Sequence, residues 1–274
     1  MSKLSSRDLI QSSTGAVGAF NVIHLEHAEA LVQGAEDAGL PTILQISENA
    51  VKFHGALKPI ALATLALAQS ASLPISVHLD HAESEELIYQ ALDLGFDSIM
   101  FDGSKLSYSE NVTASKRVAD RCRSYGATIE VELGEIGGKD GVHAPGVRTN
   151  PAEALAFVEE TGVDLLAVAV GSSHAMQERT AQLDFALIEE LAHVLKTPLV
   201  LHGSSGVNDA DLQKAVKAGM RKVNIATHLN QVFTDQVRAK LSSEPQLVDT
   251  RKYIAPAREA MRHEVARLLK LLAL

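Results

Sequence analysis

The chain has 274 residues, 46% of them hydrophobic and 22% charged, a globular balance that excludes a disordered polymer and suits one α/β barrel or two ordinary domains. A net charge of −9 argues against a nucleic-acid partner, because a phosphate backbone calls for a basic face, but leaves room for small anionic substrates held by amides and helix N-termini. The single cysteine, Cys122, excludes a disulfide framework, Met1 to Gln11 has no apolar signal core, and no run is long enough to span a bilayer, so a soluble cytoplasmic protein with no membrane partner is expected.

In chain order, the pattern from Ala16 to Ile23 is strand-like and ends in Asn21. A helix follows, with Leu25, Ala28, Leu31, Val32 and Ala35 at helical spacing and Gly39 then Pro41 as its stop. Thr42 to Ile46 reads as the second strand, ending at Ser47. The Ala/Leu-rich helix from Pro59 to Ala71 is apolar almost all round, which points to burial on more than one side or to a subunit contact, and a homo-oligomer, dimer or tetramer, is expected. The third strand, Ile75 to Ala82, finishes in Asp80-His81, and Ser84 caps the helix behind it. Ser98 to Phe101 is the fourth strand, followed by Asp102-Gly103, then a helix from Tyr108 to Ser124 and a fifth strand from Ala127 to Leu133.

Gly134 to Asn150 is the only irregular segment of any length and, with four glycines before Val142, reads as a mobile lid. Beyond it lie helix Pro151–Thr161, strand Leu165–Val170, helix Phe185–Leu195, strand Pro198–Leu201, helix Asp209–Ala218, strand Lys222–Ile225, helix His228–Leu241 and a terminal helix from Pro256 to Leu271. Eight strands alternating with helices fit a (β/α)8 TIM barrel. The alternative is an open doubly wound sheet, but no G-x-G-x-x-G follows the first strand. No composition shift marks a second domain, so residues 1–274 read as a single barrel with a C-terminal helical extension.

In such a barrel the functional residues collect where strands end. Here the strand ends carry Asn21, Ser47, Asp80 with His81, Asp102, Glu132, His174, His202 and Asn224. Taken singly, each histidine could be a rim residue satisfied by a backbone carbonyl; taken together, His81, His174 and His202 suit zinc, as neutral nitrogen ligands that leave a position open for substrate. His78 competes as a ligand or supports one from behind. His24, His27, His54, His193, His228 and His263 read as helix or surface residues. Gly203-Ser204-Ser205-Gly206 and Asn224-Ile225-Ala226-Thr227 offer amides and hydroxyls after strands seven and eight, where barrels often bind phosphate.

The ordered set AFNV, VHLDHA, MFDGS, EVELGEIGG, GSSHA, LHGSSG and KVNIAT resembles the class II, zinc-dependent ketose-bisphosphate aldolases, in the shorter branch that includes fructose- and tagatose-bisphosphate aldolases. The resemblance runs from about Ala19 to the final helix. It implies a zinc enzyme that reversibly cleaves a ketose 1,6-bisphosphate to dihydroxyacetone phosphate and glyceraldehyde 3-phosphate. It places zinc on His81, His174 and His202, with Glu132 and Asp102 near enough to hold a displaced, second or monovalent cation. Asp80 becomes the group that exchanges a proton with the C4 hydroxyl. Gly203, Ser204, Ser205, Asn224, Ala226 and Thr227 match the phosphate-holding stretches, Asn21 and Ser47 line the same pocket, and Arg251 would meet the second phosphate, from a neighbouring subunit.

There are departures from the family pattern. Ala175 stands where glycine is usual beside the second zinc histidine, Met176-Gln177-Glu178-Arg179 lacks an expected lysine, and the lid reads Gly137-Gly138-Lys139-Asp140. Asp140 is the most direct match to the family's lid acid, with Glu135 and His143 as competitors; its other reading is a turn cap. A relative acting on 5-dehydro-2-deoxy-phosphogluconate, a zinc hydrolase on the same barrel and a non-catalytic sugar-phosphate binder are the alternatives at this level.

Overall fold

The computed structural model describes residues 4–133 and 148–274. Eight parallel strands close into a barrel in chain order: β1 (Val17–Asn21), β2 (Thr42–Ser47), β3 (Ile75–Ala82), β4 (Ser98–Phe101), β5 (Thr128–Leu133), β6 (Leu165–Val168), β7 (Leu199–Leu201) and β8 (Met220–Ile225), with β8 pairing back onto β1. The helices are α1 (Ser6–Ser12), α2 (Leu25–Ala38), α3 (Glu48–His54), α4 (Lys58–Ser70), α5 (Glu85–Leu94), α6 (Tyr108–Tyr125), α7 (Pro151–Thr161), α8 (Phe185–Val194), α9 (Asp209–Ala218), α10 (Thr227–Ser243) and α11 (Thr250–Leu272). Most expected elements lie within a residue or two of these bounds. Among the described residues no single helix is long and apolar enough to cross a membrane.

Two apolar clusters hold the barrel together. One lies between the strands and the helical ring, and the other fills the barrel interior with Val17, Ala19, Ile43, Met100, Leu165, Ala167, Ala169 and Val200. Leu9 and Ile10 of α1 join the inner cluster and plug the bottom of the barrel. Each is fully buried, a change worth about 1.5–3 kcal/mol per side chain. The sequence reading left α1 out. Ser5 starts it through a reciprocal capping box with Asp8, which is enough to fix so short a helix once its two apolar residues are covered.

Two further differences, at α3 and α11, have local causes. α3 follows β2 directly because Ser47 Oγ accepts the Ala50 N–H and caps it. α4, expected to be buried on more than one side or to lie in a subunit contact, buries one face within the chain (Ile60, Ala61, Thr64 and Leu65) and carries Leu62 48% exposed. α11 begins at Thr250 rather than Pro256, with Asp249 as its N-cap, and carries Pro256 inside it. It packs along α2 and α10. Gly34 makes the α2 contact possible, since a Cβ there would meet the Arg262 carbonyl oxygen at 2.7 Å and Val265 at 2.8 Å. His27, expected on a helix or at the surface, lies in α2 and is buried edge-on against Phe233, and burial, then His24, pushes its pKa down to about 4.

Candidate active site

The polar strand ends meet on one rim. Asn21, Gln45, Ser47, Asn49, Asp80, His81, His174, Ala175, His202, Gly203, Ser205, Asn224, Ala226 and Thr227 line a single pocket there. β3 delivers Asp80 and His81 side by side only because its pairing with β4 is interrupted between Leu79 and Ala82. At that irregularity His81 takes a left-handed φ of 49°, which turns its ring into the pocket. A non-glycine residue held there costs about 1–3 kcal/mol, the kind of strain that collects at functional sites. Ala175 is the other rim residue in this state, with φ 58°. The backbone keeps the shape that a glycine would take freely, and the alanine is strained into it.

His81, His174 and His202 each present a ring nitrogen within 4.8 Å of the others. His81 Nδ1 lies 2.8 Å from Asp102 Oδ2, and His202 Nε2 lies 2.8 Å from Glu130 Oε1. A carboxylate only accepts, so both of these nitrogens carry the proton. The other nitrogens, His81 Nε2 and His202 Nδ1, then face each other at 2.9 Å. In neutral rings these are two lone pairs pointed at one spot, which repel unless a cation lies between them. Nitrogen ligands at about 2.0–2.1 Å from zinc stand about 3.3 Å apart in a tetrahedral site; the 2.9 Å pair and a His174 nitrogen within 4.8 Å of both bracket that spacing, so the three histidines can hold a metal. His81 also forms a second group with Asp102 and Glu132.

Asp80 is buried at the end of β3, opposite Ser47 of β2. It accepts from Asn21 Nδ2 at 3.2 Å, and from Gln45 Nε2 and Asn224 Nδ2 at 3.5 Å each. The phosphate-type loops are joined through Ser205, whose Oγ accepts the Ala226 and His228 N–H groups at 3.3 and 3.1 Å. This leaves its own proton to donate at the mouth of α10, a helix N-terminus suited to an anion. Gly203 has φ 65°, and a Cβ there would meet the Ser173 backbone at 2.6 Å, so the β7 loop closes onto the His174 loop only with glycine.

Several expected site residues do not reach the pocket. Ser204 turns away from it, and its hydroxyl donates to the Leu201 carbonyl at 3.0 Å. Arg251 is exposed at the start of α11, paired with Asp249, and is not among the pocket-lining residues; any role at substrate would come from a neighbouring copy. Asp102 and Glu132 sit behind His81 rather than on the pocket wall. Glu135, Lys139, Asp140 and His143 lie outside the described residues.

The sequence reading also missed residues. Gln45 and Asn49 line the pocket. Glu130 and Lys222, unanticipated, join His78, which was expected to support a ligand from behind, in a buried layer beneath it, where Lys222 Nζ is 2.6 Å from Glu130 Oε2. His78 is held neutral, its pKa well below the usual imidazole value because of burial and then Lys222. The signal for this layer was present, because residues two apart on a strand share a face. Gln45, His78, Glu130 and Lys222 each precede a rim residue by two.

Known proteins match over almost the whole chain. A family model described as fructose-bisphosphate aldolase class-II matches residues 8–273. A fructose-bisphosphate aldolase from Thermus caldophilus is 36% identical, over 93% of this chain and 92% of its own. A probable fructose-bisphosphate aldolase from Bacillus subtilis (strain 168) is 38% identical, over 91% and 89%. Among solved structures, the YdjI aldolase from Escherichia coli K12 superposes with a TM-score of 0.83 at 28% identity, covering 98% of this chain and 96% of its own. A putative fructose-1,6-biphosphate aldolase from Coccidioides immitis gives 0.85 at 28% identity, covering 97% and 95%. The family match, the barrel and the order of the rim residues along it agree: the chain belongs to the class-II fructose-bisphosphate aldolase family.

Proposed function

We propose that this aldolase cleaves fructose 1,6-bisphosphate to dihydroxyacetone phosphate and glyceraldehyde 3-phosphate, using a zinc ion held by His81, His174 and His202. The observation that supports this most is the pair of imidazole nitrogens facing each other at 2.9 Å, each ring fixed in tautomer by a carboxylate behind it. When bound there, the cation would act as a Lewis acid, polarising the ketose carbonyl and stabilising negative charge as the C3–C4 bond breaks. Asp80 takes the C4 hydroxyl proton during cleavage and returns it during condensation. Its three amide partners hold the carboxylate still without supplying a competing acid.

Gly203, Ser205, Ala226 and Thr227 would hold the phosphate of the three-carbon product, with the positive end of α10 behind it. Asn21, Ser47 and Asn224 line the sugar side. Asp102 and Glu132, with His81, would take a displaced or second cation. Asp140 is the proposed acid that gives a proton to C3 of the three-carbon fragment, which keeps the electron pair of the broken C3–C4 bond, so that dihydroxyacetone phosphate can leave.

A Schiff-base route has no lysine to use at the described pocket wall. Lys222 is fully buried against Glu130. Purified protein incubated with fructose, tagatose and related ketose phosphates is expected to release dihydroxyacetone phosphate fastest from fructose 1,6-bisphosphate. Borohydride added with substrate is expected to trap no adduct. Preference for another ketose would reassign the substrate, and a trapped lysine would overturn the metal route.

A further inference from the structure

One layer below the rim, where a (β/α)8 core is ordinarily filled by branched apolar side chains, this barrel carries charge. Glu130 of β5, Lys222 of β8, His78 of β3 and Ser98 of β4 have no solvent exposure, and neither has His202 above them. The contacts form one chain. His202 Nε2 donates to Glu130 Oε1 at 2.8 Å, and Lys222 Nζ donates to Glu130 Oε2 at 2.6 Å. Lys222 Nζ also lies 3.5 Å from His78 Nε2, whose ring meets Ser98 Oγ through Nδ1 at 2.7 Å.

An ion pair at this depth does little for the fold. Two charges lose their hydration, and replacing such a pair with apolar side chains of similar volume is often neutral or stabilising. Its presence is explained by what Glu130 does for His202. With Oε2 occupied by the ammonium, Oε1 is left facing the imidazole as a pure acceptor. His78, donating its Nδ1–H to Ser98, turns only an acceptor nitrogen toward Lys222, and the ammonium is held from that side as well.

We propose that Glu130 and Lys222 are a positioning pair that locks His202 as the Nε2–H tautomer, with Nδ1 aimed at the metal position, and so sets the affinity of the centre for its cation. The inference rests on the metal centre proposed above. Neither residue lines the pocket; Glu130 acts on the centre through His202, and Lys222 acts by holding Glu130.

The test uses two double variants that remove both charges at once, so that no buried charge is left unpaired. Glu130→Leu with Lys222→Met deletes the acceptor. Glu130→Gln with Lys222→Met keeps the shape but offers His202 an amide that can turn either its oxygen or its NH₂ group. Zinc affinity is measured by competition with a chromophoric chelator, the Co²⁺-substituted proteins are compared by visible absorption, and the metal-free proteins by thermal unfolding. Both variants are expected to unfold near the wild-type temperature yet bind zinc about 10–100-fold more weakly, the leucine variant the more so, with altered Co²⁺ bands. If the leucine variant does not fold, the glutamine variant carries the test. Affinity within about twofold of wild type in a folded variant, with or without a lowered unfolding temperature, would overturn the positioning role. His81→Ala in the same assay separates the two ideas: if it leaves zinc affinity unchanged, the metal centre itself is wrong.

Discussion

Asp80→Ala is expected to lower kcat by about 10²–10⁴-fold, the usual worth of a positioned acid–base group, with metal content and fold retained. Asp80 is buried at the rim end of β3, and in each of its three contacts, with Asn21, Gln45 and Asn224, it is the acceptor. None of those amides can take the C4 hydroxyl proton in its place. The loss should fall on kcat more than on KM, because the interaction belongs to the transition state. Asp80→Asn, which keeps the shape without a base, is expected to lose as much. Steady-state kinetics and metal analysis of both variants check this. Activity within a few-fold of wild type would reduce Asp80 to a support for its neighbour His81.

A larger loss is expected from His81→Ala. His81 belongs to both candidate ligand groups, the one with His174 and His202 and the one with Asp102 and Glu132. Its strained backbone and its Asp102 partner serve to aim a single ring. Without it, two imidazoles remain on the substrate side. Stoichiometric zinc should be lost, and kcat/KM should fall by more than the ~10⁴ upper end of a lone proton-transfer group. Elemental analysis and kinetics on the same preparation check both. A variant that keeps its metal and turns over substrate would place the ion elsewhere.

The eight-unit alternation was legible because most strands are short, largely apolar runs and several helices end at a glycine, as at Gly39 and Gly162. The rim was legible too, since Asp80, His81, His174 and His202 are polar groups at the ends of buried strands. Two short helices were not. α1 and α3 are seven residues each, below the window in which helical periodicity can be read. α3 was further masked because Ser47, taken as a pocket residue, is also its cap. Ser204 failed because a loop hydroxyl read as a phosphate donor is spent on its own backbone. The buried layer failed for a different reason. Gln45, Glu130 and Lys222 were passed over as residues inside strands, and only His78 was picked out, as a ligand or a support from behind, although the two-residue period puts each directly beneath a rim residue.

The most direct measurement follows dihydroxyacetone phosphate release from fructose 1,6-bisphosphate before and after removal of metal with a chelator, with metal content determined on the same samples. Native protein is expected to carry about one tightly held ion per chain. Metal-free protein is expected to be inactive and to regain turnover as zinc is returned. Full turnover by protein shown to be free of metal would contradict the assignment of His81, His174 and His202 as ligands to a catalytic ion.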